Sequence, residues 1–226
     1  MTRKRTGYAK GAEGFSLMEV MVTMVVLAIG LSAVYSFFLS GLVSVRTTQT
    51  HGEALRSGQL ALDRFSRDFR QAQSPGTDSS TPTPLPVTAV QSLSATSVSF
   101  YVDTNRSDAA TFTPKTIRYS IDVAGKKVTR EEAPVLTRAP VTVGAWGPAV
   151  TVISGINPGS TFTANGVVAD ASLATEGPTL SLPLSATDRA LVASVGVTLK
   201  LSQMTGYSQT QTEVATNVLL RNRLLQ

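Results

Sequence analysis

The chain has 226 residues, a formal net charge of +5 and no cysteine. That length suits one medium domain with an additional segment, and the lack of thiols excludes disulfide frameworks, thiolate metal sites and cysteine nucleophiles. Arg3, Lys4, Arg5 and Lys10 against Glu13 give residues 1–14 a net +3 and leave +2 for the rest, so the basic isoelectric point is no argument for nucleic-acid binding.

Residues 1–14 read as a basic leader. From Phe15 to Val45 the chain runs FSLMEVMVTMVVLAIGLSAVYSFFLSGLVSV, with Glu19 as its only charged side chain. As a helix, Val20–Val45 would extend about 39 Å at ~1.5 Å per residue, enough to cross a hydrocarbon core of ~30 Å with some tilt. The leader's cations, set against the sparsely charged flank Arg46–His51, predict a cytoplasmic N-terminus and translocation of everything after Val45. An ordinary secretory signal is cut after its apolar run. Here the order is reversed: the leader ends in Gly14 and the apolar run begins at Phe15, so a cut between them leaves the membrane segment on the mature chain. Glycine at that junction lets a peptidase approach the backbone closely.

Glu19 needs a partner. A carboxylate in such a span costs about 2.5–3.5 kcal/mol at the bilayer centre and less near the interface. Cleavage after Gly14 would make the α-amino group of Phe15 a cation four positions from Glu19 on the same helical face, able to pair with Glu19 of its own or a neighbouring chain. The alternative is an uncleaved anchor whose glutamate sits among the headgroups.

The run G-F-S-L-M-E-V at residues 14–20, between a short basic leader and an unbroken apolar stretch, resembles the prepilin signature of type IV pilins and type II secretion pseudopilins. The resemblance implies cleavage by a prepilin peptidase after Gly14, methylation of Phe15 and a docking role for Glu19. Met18 stands where many relatives carry threonine or isoleucine, a change without expected consequence at an embedded position. The resemblance also implies other pilins or pseudopilins as partners, no small-molecule substrate and no cofactor. It places the chain in the inner membrane first, then in a filament in the periplasm or at the cell surface.

Within residues 15–45, Ser32, Ser36 and Ser40, followed by Ser44, recur every fourth position with Gly30 and Gly41 nearby. Small residues allow close helix packing in membranes, so the row can serve as a contact stripe between subunits. Equally, such serines can bond the carbonyl four residues back. Over residues 46–73 the helix continues as an amphipathic one: Leu55, Leu62 and Phe69, with Gly58, Phe65 and Ala72, form an apolar stripe. Asp63 with Arg67, and Arg64 with Asp68, are opposite charges four apart on a solvated face. Gly52 and Gly58 weaken the helix, and Pro75-Gly76 ends it. His51, the only histidine, falls in this polar stretch and is better explained by a solvated face than by a Ser-His-Asp site.

Residues 74–86, SPGTDSSTPTPLP, read as a linker or surface loop, and residues 87–226 as a β-rich head. Val98, Phe100 and Val102 alternate with polar positions, as do Ile117, Tyr119, Ile121 and Val123; Ala124-Gly125-Lys126 then turns the chain back through Lys127–Glu131 as a hairpin. Residues 140–185 carry scattered valines among Gly, Pro, Ser and Thr without a clear strand pattern. Val195, Val197, Leu199 and Leu201 mark a late strand, and Val214–Leu220 a final one. A helix followed by turn-separated strands is α+β, with an antiparallel sheet packed on the helix's second half. The resemblance implies the pilin-like ladle, with the apolar half of the helix protruding. ALDRFSRDFRQAQ, IRYSIDVAGKKVTREEAPV and VLLRNR are similar to segments of PilW-type minor pilins and J-type pseudopilins of type II secretion.

Sites for chemistry are sparse. No phosphate-binding glycine loop and no zinc or calcium-loop spacing is present, so neither a metal nor catalysis is expected. Asp103, Asp108 and Asp122 lie near strand ends, where turn-making outweighs cation binding. Lys126, Lys127 and Arg130 are followed at once by Glu131 and Glu132, which fits a solvated hairpin better than a basic patch. Trp146, in a Gly/Pro-flanked loop, is a lid over the sheet or an anchor for a partner. Three functions follow. One is a minor pilin or pseudopilin subunit that primes assembly or caps a filament. A second is a filament-borne adhesin or DNA-uptake subunit, against which the near-neutral head argues. The third is an uncleaved membrane-anchored periplasmic protein.

Overall fold

A computed structural model describes residues 16–74, 77–78, 85–86, 88–103, 114–138, 141–166, 178–205 and 208–220. Gly14, Phe15, Pro75-Gly76 and Asp108 lie outside these residues. The chain divides into two units, Met1–Thr48 and Gln49–Gln226. The first contains the N-terminal part of helix α1 (Leu17–Arg70), a single helix of 54 residues.

The second unit is built on the rest of α1. Its buried residues are Ala54, Gly58, Ala61, Leu62, Phe65 and Phe69, spaced three and four apart as one apolar stripe demands. Leu55 is only half-buried. The helix stops at Arg70, short of the expected Gln73, because the following backbone is drawn into sheet contacts. The amides of Gln71 and Ala72 bond the carbonyls three residues back at 3.1 and 3.0 Å, and the Gln73 amide reaches the Tyr101 carbonyl at 3.0 Å. Ala72 also forms an isolated bridge with Val102.

Strands follow in chain order. β1 (Thr77–Asp78) and β2 (Leu85–Pro86) make a short antiparallel ladder inside the segment expected as a loop. β3 (Val90–Leu93), β4 (Ser97–Asp103), β5 (Pro114–Asp122), β6 (Lys127–Arg138) and β7 (Val141–Val143) pair antiparallel in that order. β8 (Val150–Ser154) pairs with the first part of β6, while β7 pairs with its last part. Between them, the loop after β7 bonds back to β6, Gly144 to Pro134 and Gly147 to Glu132, each at 2.8 Å. A second antiparallel sheet has the order β11-β10-β9, formed by β9 (Thr161–Gly166), β10 (Val192–Thr205) and β11 (Ser208–Leu219), with a short helix α2 (Ala186–Leu191) leading into β10. The fold is therefore α+β, a long N-terminal helix packed on antiparallel sheets as in pilin-like folds.

The β5–β6 hairpin turns at Val123–Lys126. Asp122 accepts the Gly125 amide at 2.8 Å, Lys126 takes φ +50°, and a Cβ at Gly125 would collide with the Asp122 carboxylate. Strands also occupy part of the stretch where the sequence shows no strand pattern: β7, β8 and β9 are three to six residues long, too short to display a clean alternation.

The core joins helix and sheets through aromatic rings. Phe65 stacks on Phe69 at 5.6 Å and meets Tyr119 edge-on at 5.2 Å, while Phe69 meets Phe100 edge-on at 5.1 Å. Such geometries add about 0.5–1.5 kcal/mol per pair beyond simple burial. Phe162 of β9 lies 5.9 Å from Phe65, so both sheets share this cluster. Gly58 is no mere weak point in the helix. A Cβ there would sit 2.9 Å from Leu201 Cδ1 and 3.1 Å from Val214 Cγ2, so glycine lets the β10–β11 hairpin approach α1.

Candidate functional site

The N-terminal part of α1 opens with a cap. The Glu19 amide donates to Ser16 Oγ at 3.2 Å and to the Ser16 carbonyl at 3.0 Å, and the Val20 amide reaches the same carbonyl at 3.2 Å. Ser16 followed three residues later by Glu19 is the spacing of a capping box, and a carboxylate in the first turn also suits the positive end of the helix dipole. The sequence signal for this cap is S-x-x-E before an apolar run. Glu19 is exposed, and among the described residues no cation pairs with it.

Beyond the cap, the helix is apolar on every side. All residues from Ser16 to Arg46 are exposed, with Phe37 at 83% and Leu42 still at 42%. Its most apolar window of 18 residues has a mean hydropathy of 2.3 and is not buried at all. A helix hydrophobic all round requires a nonaqueous environment or other helices. Hydroxyls on this stretch are turned inward on the backbone: Thr23 donates to the Glu19 and Val20 carbonyls at 2.9 and 2.8 Å, and Ser32 to the Ile29 carbonyl at 2.8 Å. Ser36, Ser40 and Ser44 lie exposed on the same helix. Nothing in the chain lies within 4 Å of a Cβ placed at Gly30 or Gly41. Gly30 instead lines a shallow apolar groove with Val22, Val26 and Leu27.

In the second unit the charged side chains are arranged otherwise than helical spacing suggests. Asp63 and Arg67 do pair, at 2.7 Å on an exposed face. Asp68 does not pair with Arg64. It accepts from Tyr119 Oη at 2.7 Å and Arg130 Nε at 2.6 Å, with the Arg130 side chain 11% exposed. Arg130 also bonds Glu132, which Lys115 reaches at 3.4 Å. Burial, helped by the bond to Asp68, raises the Tyr119 pKa well above its ordinary range. Burial alone would lower Arg130, but its bonds to Asp68 and Glu132 outweigh that and hold its pKa above the ordinary value. The bond from Arg130 holds Glu132 below the usual carboxylate range against opposing desolvation. Lys126, Lys127 and Arg130 thus form no common basic patch, since Arg130 is engaged beneath the helix.

The expected solvated face of His51 is revised, whereas Trp146 takes the first of its two expected roles, over the sheet. His51 is half-buried, and its Nδ1 lies 3.0 Å from Thr212 Oγ1, tying α1 to β11. Trp146 lies over Arg118, whose guanidinium carbon sits 4.1 Å from the ring centre while its Nη2 pairs with Glu131 at 2.6 Å. Its ring is therefore engaged with the sheet. Asp122 makes the hairpin turn, and among the described residues no group of three His, Asp or Glu side chains is placed to hold a metal.

Residues 10–35 match the family model described as the prokaryotic N-terminal methylation motif. No curated protein matches the chain. The matched segment coincides with the start of the exposed apolar helix and supports a type IV prepilin-like, membrane-anchored structural subunit; the motif implies processing by a prepilin peptidase and assembly with other pilins.

Proposed function

We propose that this chain is a minor subunit of a type IV pilus or a type II secretion pseudopilus, of the PilW or J type, which primes assembly or sits at the filament tip. In this reading residues 1–14 are removed between Gly14 and Phe15, Phe15 is N-methylated, and residues 15–45 are held first by the inner membrane and then by neighbouring helices. Residues 46–73 continue the helix, 74–86 link it onward, and 87–226 form a head translocated out of the cytoplasm.

The observation that carries the reading is the methylation-motif match over residues 10–35. The chemistry of Glu19 adds to it. Its carboxylate is exposed on an apolar helix with no cation beside it among the described residues. The amine created at Phe15 supplies the missing charge, from its own chain or a neighbour's, and pairing inside a low-dielectric bundle strengthens the attraction. Gly30, Ser32, Ser36, Ser40 and Ser44 would then allow helices to approach closely along one stripe.

Mass spectrometry of the mature N-terminus should find N-methylated Phe15; Met1 or unmodified Thr2 there would leave only an uncleaved anchor. Glu19→Ala should still insert in the membrane but assemble poorly, so wild-type filament levels in that variant would remove the role given to Glu19.

A further inference from the structure

Bordered by the second half of α1, by β5 and β6 and by the loop between β7 and β8 lies a cleft of about 550 Å³. Arg64 borders it from the helix, Lys115 and Arg130 from the sheet, and Pro148 and Val150 form an apolar wall. Among the described residues Glu132 is the only acidic one along its lining, and its carboxylate already accepts from both Arg130 and Lys115. Arg64 would ordinarily be neutralised by Asp68 one turn on, but Asp68 is occupied by Tyr119 and Arg130. Among the described residues Arg64 makes no ion pair, and it is exposed.

The donor count is therefore unbalanced. A guanidinium carries five N–H donors and an ammonium three; Arg130 is met by Asp68 and Glu132 and Lys115 by Glu132, which leaves Arg64 as the cation without a carboxylate. What the cleft lacks is an acceptor of negative charge, and planar guanidinium donors favour a carboxylate. The cleft is open to solvent, and its apolar wall of Pro148 and Val150 suits the aliphatic part of a short side chain reaching in from another surface.

We propose that this cleft binds a carboxylate presented by an acidic side chain of a partner polypeptide, with Arg64 as its principal donor and Lys115 as the second. The site is independent of how the N-terminus is processed, because all of its residues belong to the second unit.

The test uses the full chain in detergent micelles, titrated with an end-blocked peptide bearing glutamates between glycines, with the same peptide bearing glutamines, and with free acetate. Binding is followed through the side-chain resonances of Arg64 and Lys115 and the amide of Gly147. The glutamate peptide should shift these signals and the glutamine peptide should not. Arg64→Gln should weaken binding roughly fivefold or more while leaving the melting temperature unchanged, since Arg64 makes no ion pair among the described residues. Arg67→Gln, on the same helix but engaged with Asp63, should bind as the unaltered chain does. Equal loss in both variants would reduce the effect to general surface charge and overturn the proposal, as would binding of the glutamine peptide or an unaffected Arg64→Gln. Acetate binding as tightly as the peptide, with the same dependence on Arg64, would overturn the polypeptide partner and leave a small-anion site.

Discussion

Up to Thr48, α1 carries large apolar side chains on every face, nearly all of them exposed; from Gln49 to Arg70 the buried positions fall into one stripe and the remaining faces are mostly charged or polar. The helical backbone is the same in both stretches. The difference shows that periodicity, not overall hydrophobicity, reveals which surroundings a helix is made for. A one-sided stripe is satisfied by its own chain, whereas uniform coverage calls for lipid or other helices.

The sharpest attempt to break that contrast is a pair of equal truncations. Phe65→Ala, in the centre of the aromatic cluster at 3% exposure, should lower unfolding stability by about 3–5 kcal/mol. Phe37→Ala, at 83% exposure, should change the stability of the isolated chain by less than about 0.5 kcal/mol. Chemical denaturation in micelles reads both, and similar losses would erase the distinction. Next in size, Asp68→Asn should cost roughly 2–3 kcal/mol, because it leaves the Arg130 guanidinium beneath the helix without its main counter-charge. Asp63→Asn, whose partner Arg67 is exposed, should stay within about 0.5 kcal/mol in the same measurement.

A subtler contrast lies between two helix glycines. Gly58→Val should lose about 1–3 kcal/mol through overpacking against Leu201 and Val214, whereas Gly52→Ala, with open space around its Cβ, should gain about 0.5–1 kcal/mol. Melting temperatures moving in the same direction would count against the packing reason for Gly58.

The smallest effect concerns pH. Glu132 is held below its unfolded value of about 4.3, chiefly by the bond from Arg130. A depressed folded pKa means that the unfolded chain takes up the proton first, so this contribution is present above about pH 4.3 and fades as the pH falls through the folded value. Glu132→Gln should therefore flatten the acid limb of a melting-temperature profile slightly while leaving its slope above pH 5 unchanged. An unaltered acid limb would show that the bond from Arg130 contributes nothing to stability.

How much could be read beforehand follows from range. The apolar helix, its stripe at Leu62, Phe65 and Phe69, the β5–β6 turn and the alternation at Val195–Leu201 are all encoded by neighbours in sequence. The partner of Asp68 was not, because local spacing points to Arg64, while Tyr119 and Arg130 lie 51 and 62 positions away. His51 was misread for the same reason, its contact being 161 positions distant. β6 runs on to Arg138, beyond the charged Glu131-Glu132 pair and through Pro134, residues that mask a strand pattern. Of the candidate site, the junction at Gly14–Phe15 announces itself by motif alone, whereas the cap made by Ser16 required only attention to a three-residue spacing.

The inward-turned hydroxyls of Thr23 and Ser32 have a consequence for movement between environments. Because each already has its acceptor in its own backbone, that stretch need break none of these bonds when lipid neighbours are exchanged for protein ones. If the helix moves from lipid to neighbouring helices, as proposed above, that exchange would leave the backbone bonds of Thr23 and Ser32 intact.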